Sequence, residues 1–341
     1  MKPRFRLRCR PCLLLSIVVS LILLGSGCER RFKESKFLLG TIVEITIIAS
    51  KGDSQRAMRL AFEEIERIDS LMNLYNENSE VSRINRSAGK PAVAVSPDTL
   101  EVVSRSIKFS ELTNGAFDIT VGPLMELWGF RKGQKRIPSD AEVAKTLPLV
   151  DYRKITVDPR RSTVGLASPG MRIDVGAIAV GYAVDKAIQA LKEAGIDKAL
   201  INAGGEIYAL GSPPGKSAWR IGIRHPRRGN DLIGILELKD RAVSTSGDYE
   251  NFFEANGKRY CHIMNPKIGR PVEGIMSATV VADSVTEADA LSTALLPSGT
   301  KAGMKLVESL KGVDCMIVTG EKEEDMKILM SGGMKENLSE D

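Results

Sequence analysis

The sequence predicts an α+β fold, in which strands and helices are mixed without strict alternation. Three observations carry this. The first regular segment alternates apolar and polar residues, the next repeats its apolar residues at helical spacing, and the second half is mostly short alternating runs punctuated by glycine. With the N-terminal segment set aside, about 310 residues remain, enough for one large domain or two intimately packed lobes.

Thr41 to Ile48 reads as a strand, with Val43, Ile45 and Ile47 on one side. Asp53 or Ser54 can cap a helix in which Ala57, Ala61, Ile65, Ile68 and Met72 share a face. A second helix has Ser96 as N-cap and Pro97 at its first position; it buries Leu100, Val103 and Ile107 and stops near Asn114-Gly115. Arg131 to Pro138, rich in Lys, Arg, Gly and Pro, reads as a surface loop. Further strands are expected at 171–175, 199–203, 219–224, 232–238, 242–245, 276–282 and 313–319. Helices are expected at 181–194, 287–296 and 302–310, with Gly195 and Gly312 as terminating glycines. The main domain is placed at 38–334, between a polar tether at 28–37 and a frayed tail at 335–341.

Residues 1–27 have the layout of a secretory signal: Lys2, Arg4, Arg6, Arg8 and Arg10, an apolar run from Leu13 to Leu24, then Gly25-Ser26-Gly27-Cys28. The run is shorter than the roughly 18 residues of a spanning helix. The segment resembles a lipoprotein signal, which implies lipidation of Cys28 and a bacterial membrane location facing the periplasm or exterior. Here the leucine usually three places before the cysteine stands four before it, as Leu24. An uncleaved anchor, or ordinary secretion with a free Cys28, are the competing readings.

The formal charge of +5 is matched by the five basic residues of this segment, so the mature chain is near neutral. No basic cluster interleaved with aromatics is present, and a nucleic-acid partner is excluded. Cys9 and Cys12 leave with the signal, and Cys261 and Cys315 can pair only with each other. A disulfide-stapled scaffold and a cysteine zinc site are thereby excluded.

There are two histidines, His225 and His262. His225, at a strand end before Pro226, suits a structural role. His262 enters a loop punctuated by Pro266, Gly269 and Pro271, a good position for proton transfer, though taken alone a structural role outweighs it. Any metal must then be a hard ion held by oxygen. Asp289 and Thr293, four apart on a helix, present a carboxylate and a hydroxyl on one face, a pairing suited to Mg²⁺. By spacing alone, a capping Asp289 and a Thr293 bonded back to the main chain explain them better. The glycine segments Asp174 to Tyr182 and Asn202 to Glu206 could hold a phosphate at a helix start, but neither is a dinucleotide or Walker fingerprint.

Together these segments resemble the FAD:protein FMN transferase family, also called ApbE, from about Leu39 to Met334. The matching segments are Leu39-Gly40-Thr41, the tyrosine-bearing loop from Leu74 to Asn85, Gly115 to Leu124, Leu127-Trp128-Gly129-Phe130, Asp174 to Asp185, Ala203-Gly204-Gly205, Ser244 to Tyr249, the His262 loop and Ala288 to Ala294. The resemblance implies two packed lobes with FAD between them, lined by Leu39, Tyr75, Ala116, Phe117, Asp118, Asp174, Val180 and Ile263. It also implies Mg²⁺ on Asp289, Thr293 and the carbonyl of Ala177. The implied reaction transfers FMN from FAD to a threonine or serine of a partner protein, such as a membrane redox subunit, and releases AMP. His262 is the candidate proton acceptor. Two positions depart from the family pattern: Val180 stands where a lysine or another polar residue is usual, and Asn265 where aspartate is usual. The alternatives are an FAD pyrophosphatase that gives FMN and AMP, and a non-catalytic flavin-binding lipoprotein.

Overall fold

The alternating segment of the sequence becomes the second strand of an eight-stranded sheet. Its strands are β1 (Arg30–Leu38), β2 (Thr41–Ala49), β3 (Ala199–Ala203), β4 (Glu206–Leu210), β5 (Arg241–Gly247), β6 (Ile275–Ala282), β7 (Asp314–Thr319) and β8 (Lys327–Met330). They lie side by side in sequence order, each antiparallel to its neighbours. The computed structural model describes residues 29–339 except Lys132 and Asn230, so the signal segment and Cys28 lie outside the described residues.

Both faces of the sheet are covered, which is why its central strands are apolar on consecutive positions. Helices α1 (Lys51–Met72), α2 (Pro97–Leu112), α3 (Ala179–Glu193) and α4 (Val285–Ser298) belong to the layer on one face. Val43, Ile45, Ile47, Ala278, Val280 and Ile317 are buried beneath it. The opposite face meets a small sheet of Trp219–Arg224, Leu232–Leu238 and Leu338–Ser339, which buries Ile48, Val243, Val281, Met316 and Val318. The mixed α+β class stands.

Several expectations need correction. Residues 30–38 are a paired strand, not a tether: β1 matches β2 residue for residue from Arg30↔Ala49 to Leu38↔Thr41. Their polarity is that of a sheet edge, where charged side chains face water and discourage further pairing; Lys33 there pairs with Glu44 at 2.6 Å. The tail is also ordered through Ser339: helix α5 (Gly332–Asn337) buries Met334, and Leu338–Ser339 pairs with Ile235 and Leu236. Residues 171–175 form no strand. Asn85 holds that segment instead, accepting from the Ile173 amide (2.7 Å) and donating to its carbonyl (2.9 Å), while the Asp174 amide donates to Ile119 (2.7 Å).

Helix α1 begins one turn early, with Ser50 as its cap. In α2 the inward face is Thr99, Val102, Val103, Ser106 and Ser110, while Leu100 and Ile107 are half-buried. The serines can go inward because Ser106 donates to the Val102 carbonyl and Ser110 to that of Ser106 (2.7 and 2.8 Å). Cys261 and Cys315 are buried and unpaired, so no disulfide joins them.

Candidate active site

A sheet whose strands follow sequence order sends every second connection to the same end. At one end lie the β1–β2 turn, the β3–β4 turn and the long 248–274 connection. The start of α3 and the middle of α4 come alongside, and the elements enclose a cleft of about 380 Å³. Leu39, Ala116, Phe117, Asp118, Asp174, Ala177, Val180, His262, Ile263, Asp289 and Thr293 all line it, residues spread over most of the chain. Both tight turns are two-residue connections with positive φ throughout: Leu39 (54°) and Gly40 (77°), then Gly204 (75°) and Gly205 (115°). A side chain on Gly204 would meet Thr41 Oγ1 at 2.4 Å, so glycine is required where the two turns touch.

Tyr75 is the exception among the expected lining residues. It is 65% exposed and sits in a small neighbouring pocket with Arg131, Arg172 and Asp174. Asp174 separates that pocket from the cleft and is engaged by Arg131 through two bonds (2.5 and 2.8 Å). Arg131 opens the segment expected as a surface loop, but it lines the cleft, and residues 133–137 alone fit that description. Asp118 lines the cleft with its carboxylate already occupied: Oδ1 accepts from the Thr120 amide and hydroxyl (2.8 and 2.6 Å), and Oδ2 from the Tyr152 amide (3.0 Å). Burial raises the Asp118 pKa, and these donors act against that rise. Its structural role in the local turn is therefore established, whatever it does toward a ligand.

The oxygen-rich corner arises where α3 crosses α4. A Cβ on Gly181 would lie 2.6 Å from the Val285 carbonyl, so the missing side chain permits the approach. There the Gly181 amide donates to Asp289 Oδ2 (3.1 Å) instead of closing the helical turn onto Ala177. No backbone amide among the described residues takes the Ala177 carbonyl in its place. Thr293 completes the corner, its hydroxyl 3.1 Å from Ser246 Oγ, which is itself 2.8 Å from Ser292. Asp289 is 4% exposed; burial raises its pKa, the Gly181 amide opposes the rise, and Asp185 adds to it. Glu206 lines the same cleft with its pKa also raised, by burial and then by the charge of Asp289.

His262 sits across the cleft in a loop that is firmly held. Its amide donates to the Asn251 carbonyl (2.8 Å), and the Val272 amide donates to Ile263 (2.9 Å). The Trp128 indole donates to the Gly269 carbonyl (3.0 Å), so Leu127 to Phe130 supports the histidine loop from below. Asn265 Oδ1 accepts from the Lys267 amide (3.0 Å), a turn-forming bond. The His262 Nδ1 is buried and has no partner. Burial, with help from the Arg131 charge, lowers the His262 pKa to about 4. His225 is structural as expected: its Nδ1 accepts from the Arg227 and Arg228 amides (3.2 and 3.0 Å).

Sequence reading missed Arg131, Glu206, Ser246 and Asn251, all of which line the cleft. Glu206 stood inside a glycine segment already singled out, and Ser246 inside the matching segment from Ser244 to Tyr249, without a role for either. Arg131 carried no signal, because its partner Asp174 is 43 residues away.

The ApbE family model matches residues 39–317. The FAD:protein FMN transferase of Vibrio cholerae is 34% identical over 311 residues, 89% of this chain and 92% of that protein. The one from Treponema pallidum is 30% identical over 315 residues, 87% of each chain. Among solved structures, the ApbE protein of Thermotoga maritima superposes with a TM-score of 0.84 at 35% identity, covering 91% of this chain and all (100%) of that one. The flavin transferase ApbE of Vibrio cholerae gives 0.82 at 31% identity, with 91% and 100% covered. The match extends over the whole cleft, from the turn at Leu39 to Thr293, and the chain belongs to the ApbE family.

Proposed function

We propose that this chain is an FAD:protein FMN transferase that moves FMN from FAD to a threonine or serine hydroxyl of a partner protein and releases AMP. The observation that carries the reading is the freed Ala177 carbonyl beside Asp289 and Thr293, in the same cleft as an unpartnered histidine nitrogen.

The corner suits Mg²⁺. It offers three oxygens of different type, and its carboxylates, buried Asp289 and partly buried Glu206 nearby, hold protons more tightly than usual, a strain that a cation would relieve. Mg²⁺ held there would neutralise charge on the phosphoryl oxygens. Gly181 fixes one oxygen of Asp289, so the other would be available to hold the ion, and the Ser246–Ser292 hydroxyls steady Thr293.

In the reaction the acceptor oxygen bonds to the FMN-side phosphorus as the bond from that phosphorus to the bridging oxygen breaks. The electron pair leaves with AMP, and the hydroxyl proton goes to a free imidazole nitrogen of His262. His262 is neutral at ordinary pH and thus free to accept it. Phosphate negative charge brought into the same cleft with FAD would raise its basicity. The Arg131–Asp174 pair keeps a fixed cation at the wall of the cleft.

The reading includes a lipid anchor at Cys28 and a site of action outside the cytoplasm, both supported by residues 1–28 of the sequence. Incubating the full chain with FAD, Mg²⁺ and membrane redox subunits that carry an exposed threonine tests it. Covalent FMN mass on a subunit with equimolar AMP is expected. Free FMN and AMP with no adduct would make it a pyrophosphatase, and intact FAD would make it a binding protein.

A further inference from the structure

Beside the cleft runs a second cavity of about 450 Å³, between the uncovered end of the large sheet and the strand Trp219–Arg224. It shares Thr41, Gly204, Thr245 and Glu250 with the cleft, so the two adjoin along a common rim at that end of the sheet. Its apolar wall includes Ile42, Ile207, Ile221 and Ile223. By the alternation of β2, Ile42 projects from the same face as buried Ile48, but the small sheet does not reach it and it is 64% exposed. Its cross-strand partner Phe37 is 74% exposed, so two large apolar side chains stand together at the lip of the groove.

We propose that this groove and its Phe37–Ile42 lip seat the acceptor protein, as an extended segment with apolar side chains close to the hydroxyl that receives FMN. The inference rests on the transfer reading, since a transferase must admit a polypeptide as well as FAD. The groove borders the cleft along the rim they share, so a segment lying in it can extend a hydroxyl into the cleft that takes FAD. Paired exposed apolar side chains on a rigid hairpin are the kind of anchor a partner buries. Glu44, Asn202, Arg224 and Glu250 add polar groups along the track that can meet the partner's backbone. A flat membrane surface would need neither a groove nor its connection to the cleft.

The test compares the wild-type full chain with Phe37→Ser/Ile42→Asp, using as probe a purified membrane redox subunit that carries an exposed threonine. Both positions are exposed and neither touches the FAD cleft. The expected result is a KM for the subunit raised about tenfold or more, with FAD affinity and the melting transition unchanged, and Ile42→Leu behaving as wild type. An unchanged KM in the folded variant overturns the proposal. So does a variant whose defect lies in binding vesicles of anionic lipid, or in dissociating a dimer, with acceptor KM intact. If the wild-type chain puts no FMN on the subunit yet cleaves FAD, the transfer reading itself has failed, and the docking proposal falls with it.

Discussion

Acidification should destabilise this protein through His262, by an amount that follows from how far burial lowers its pKa. The imidazole ionises near 6.5 when exposed and near 4 in the fold, where burial acts first and Arg131 second. The charged groups facing it are Arg131 and Lys135, which disfavour the imidazolium, and Asp174, which favours it. The unfolded chain therefore binds the proton first as pH falls. Stability is fully present above about pH 6.5, declines from there, and levels off below about pH 4. A difference of about 2.5 pKa units corresponds to roughly 3 kcal/mol in all, and roughly 2 kcal/mol of it is lost between pH 7 and pH 5. Urea unfolding of the metal-free, FAD-free protein at those two pH values measures it, with buried Trp128 and Trp219 as fluorescent reporters. His262→Gln is the reference, because it keeps every other titrating group, including Asp289 and Glu206, whose raised pKa values act in the opposite direction. The wild type should lose about 2 kcal/mol more than the variant. Equal losses would show that His262 is not held neutral by the fold.

Arg131→Met should cost about 3 kcal/mol by stranding the buried Asp174 carboxylate, and should raise the His262 pKa, so that in an NMR titration the His262 ring begins to protonate at a higher pH than in the wild type. Val180 lines the cleft in the first turn of α3, so Val180→Lys should tighten FAD binding several-fold at low salt and lose that gain near 1 M salt; equal affinities throughout would place the position out of reach of the phosphates. Asp289→Ala and His262→Gln should fail differently. The first should require about 100-fold more Mg²⁺ for both transfer and FAD cleavage. The second should leave the Mg²⁺ requirement intact and slow transfer by about 10²–10⁴-fold, and a normal rate in His262→Gln would remove it from the mechanism.

Much of the fold was legible because periodicity reports burial. Thr41–Ile48 showed its buried face, and Ser96-Pro97 marked the start of α2 to the residue. What failed was reading polarity as disorder. Residues 30–38 are charged because they form a sheet edge, and Ser106 and Ser110 are inside because their hydroxyls bond to the preceding turn. The cleft was legible only through the order of its motifs, since residues from Leu39 to Thr293 converge in space without sharing any local pattern. Tyr75 illustrates the limit: its loop matched, yet its ring stands behind Arg131 and Asp174, in the smaller pocket. Arg131 shows the converse, a basic residue in a polar loop whose role appears only when Asp174 is beside it.

Gly181 ties the two levels together. In the sequence it is one of several glycines at the entrance to a helix, and a turn is the simplest account of it. In the structure the turn needs no glycine there: Gly181 has ordinary helical surroundings within α3, and φ is not positive. What excludes a side chain is the Val285 carbonyl, 2.6 Å from where a Cβ would be. That close crossing brings Asp289 within reach of the Gly181 amide, and the bond they make withdraws the amide from Ala177. One absent methyl group thus sets the packing of α3 on α4, the orientation of the Asp289 carboxylate and the availability of the Ala177 carbonyl. Two of the three oxygens assigned to Mg²⁺ depend on it, although neither belongs to Gly181.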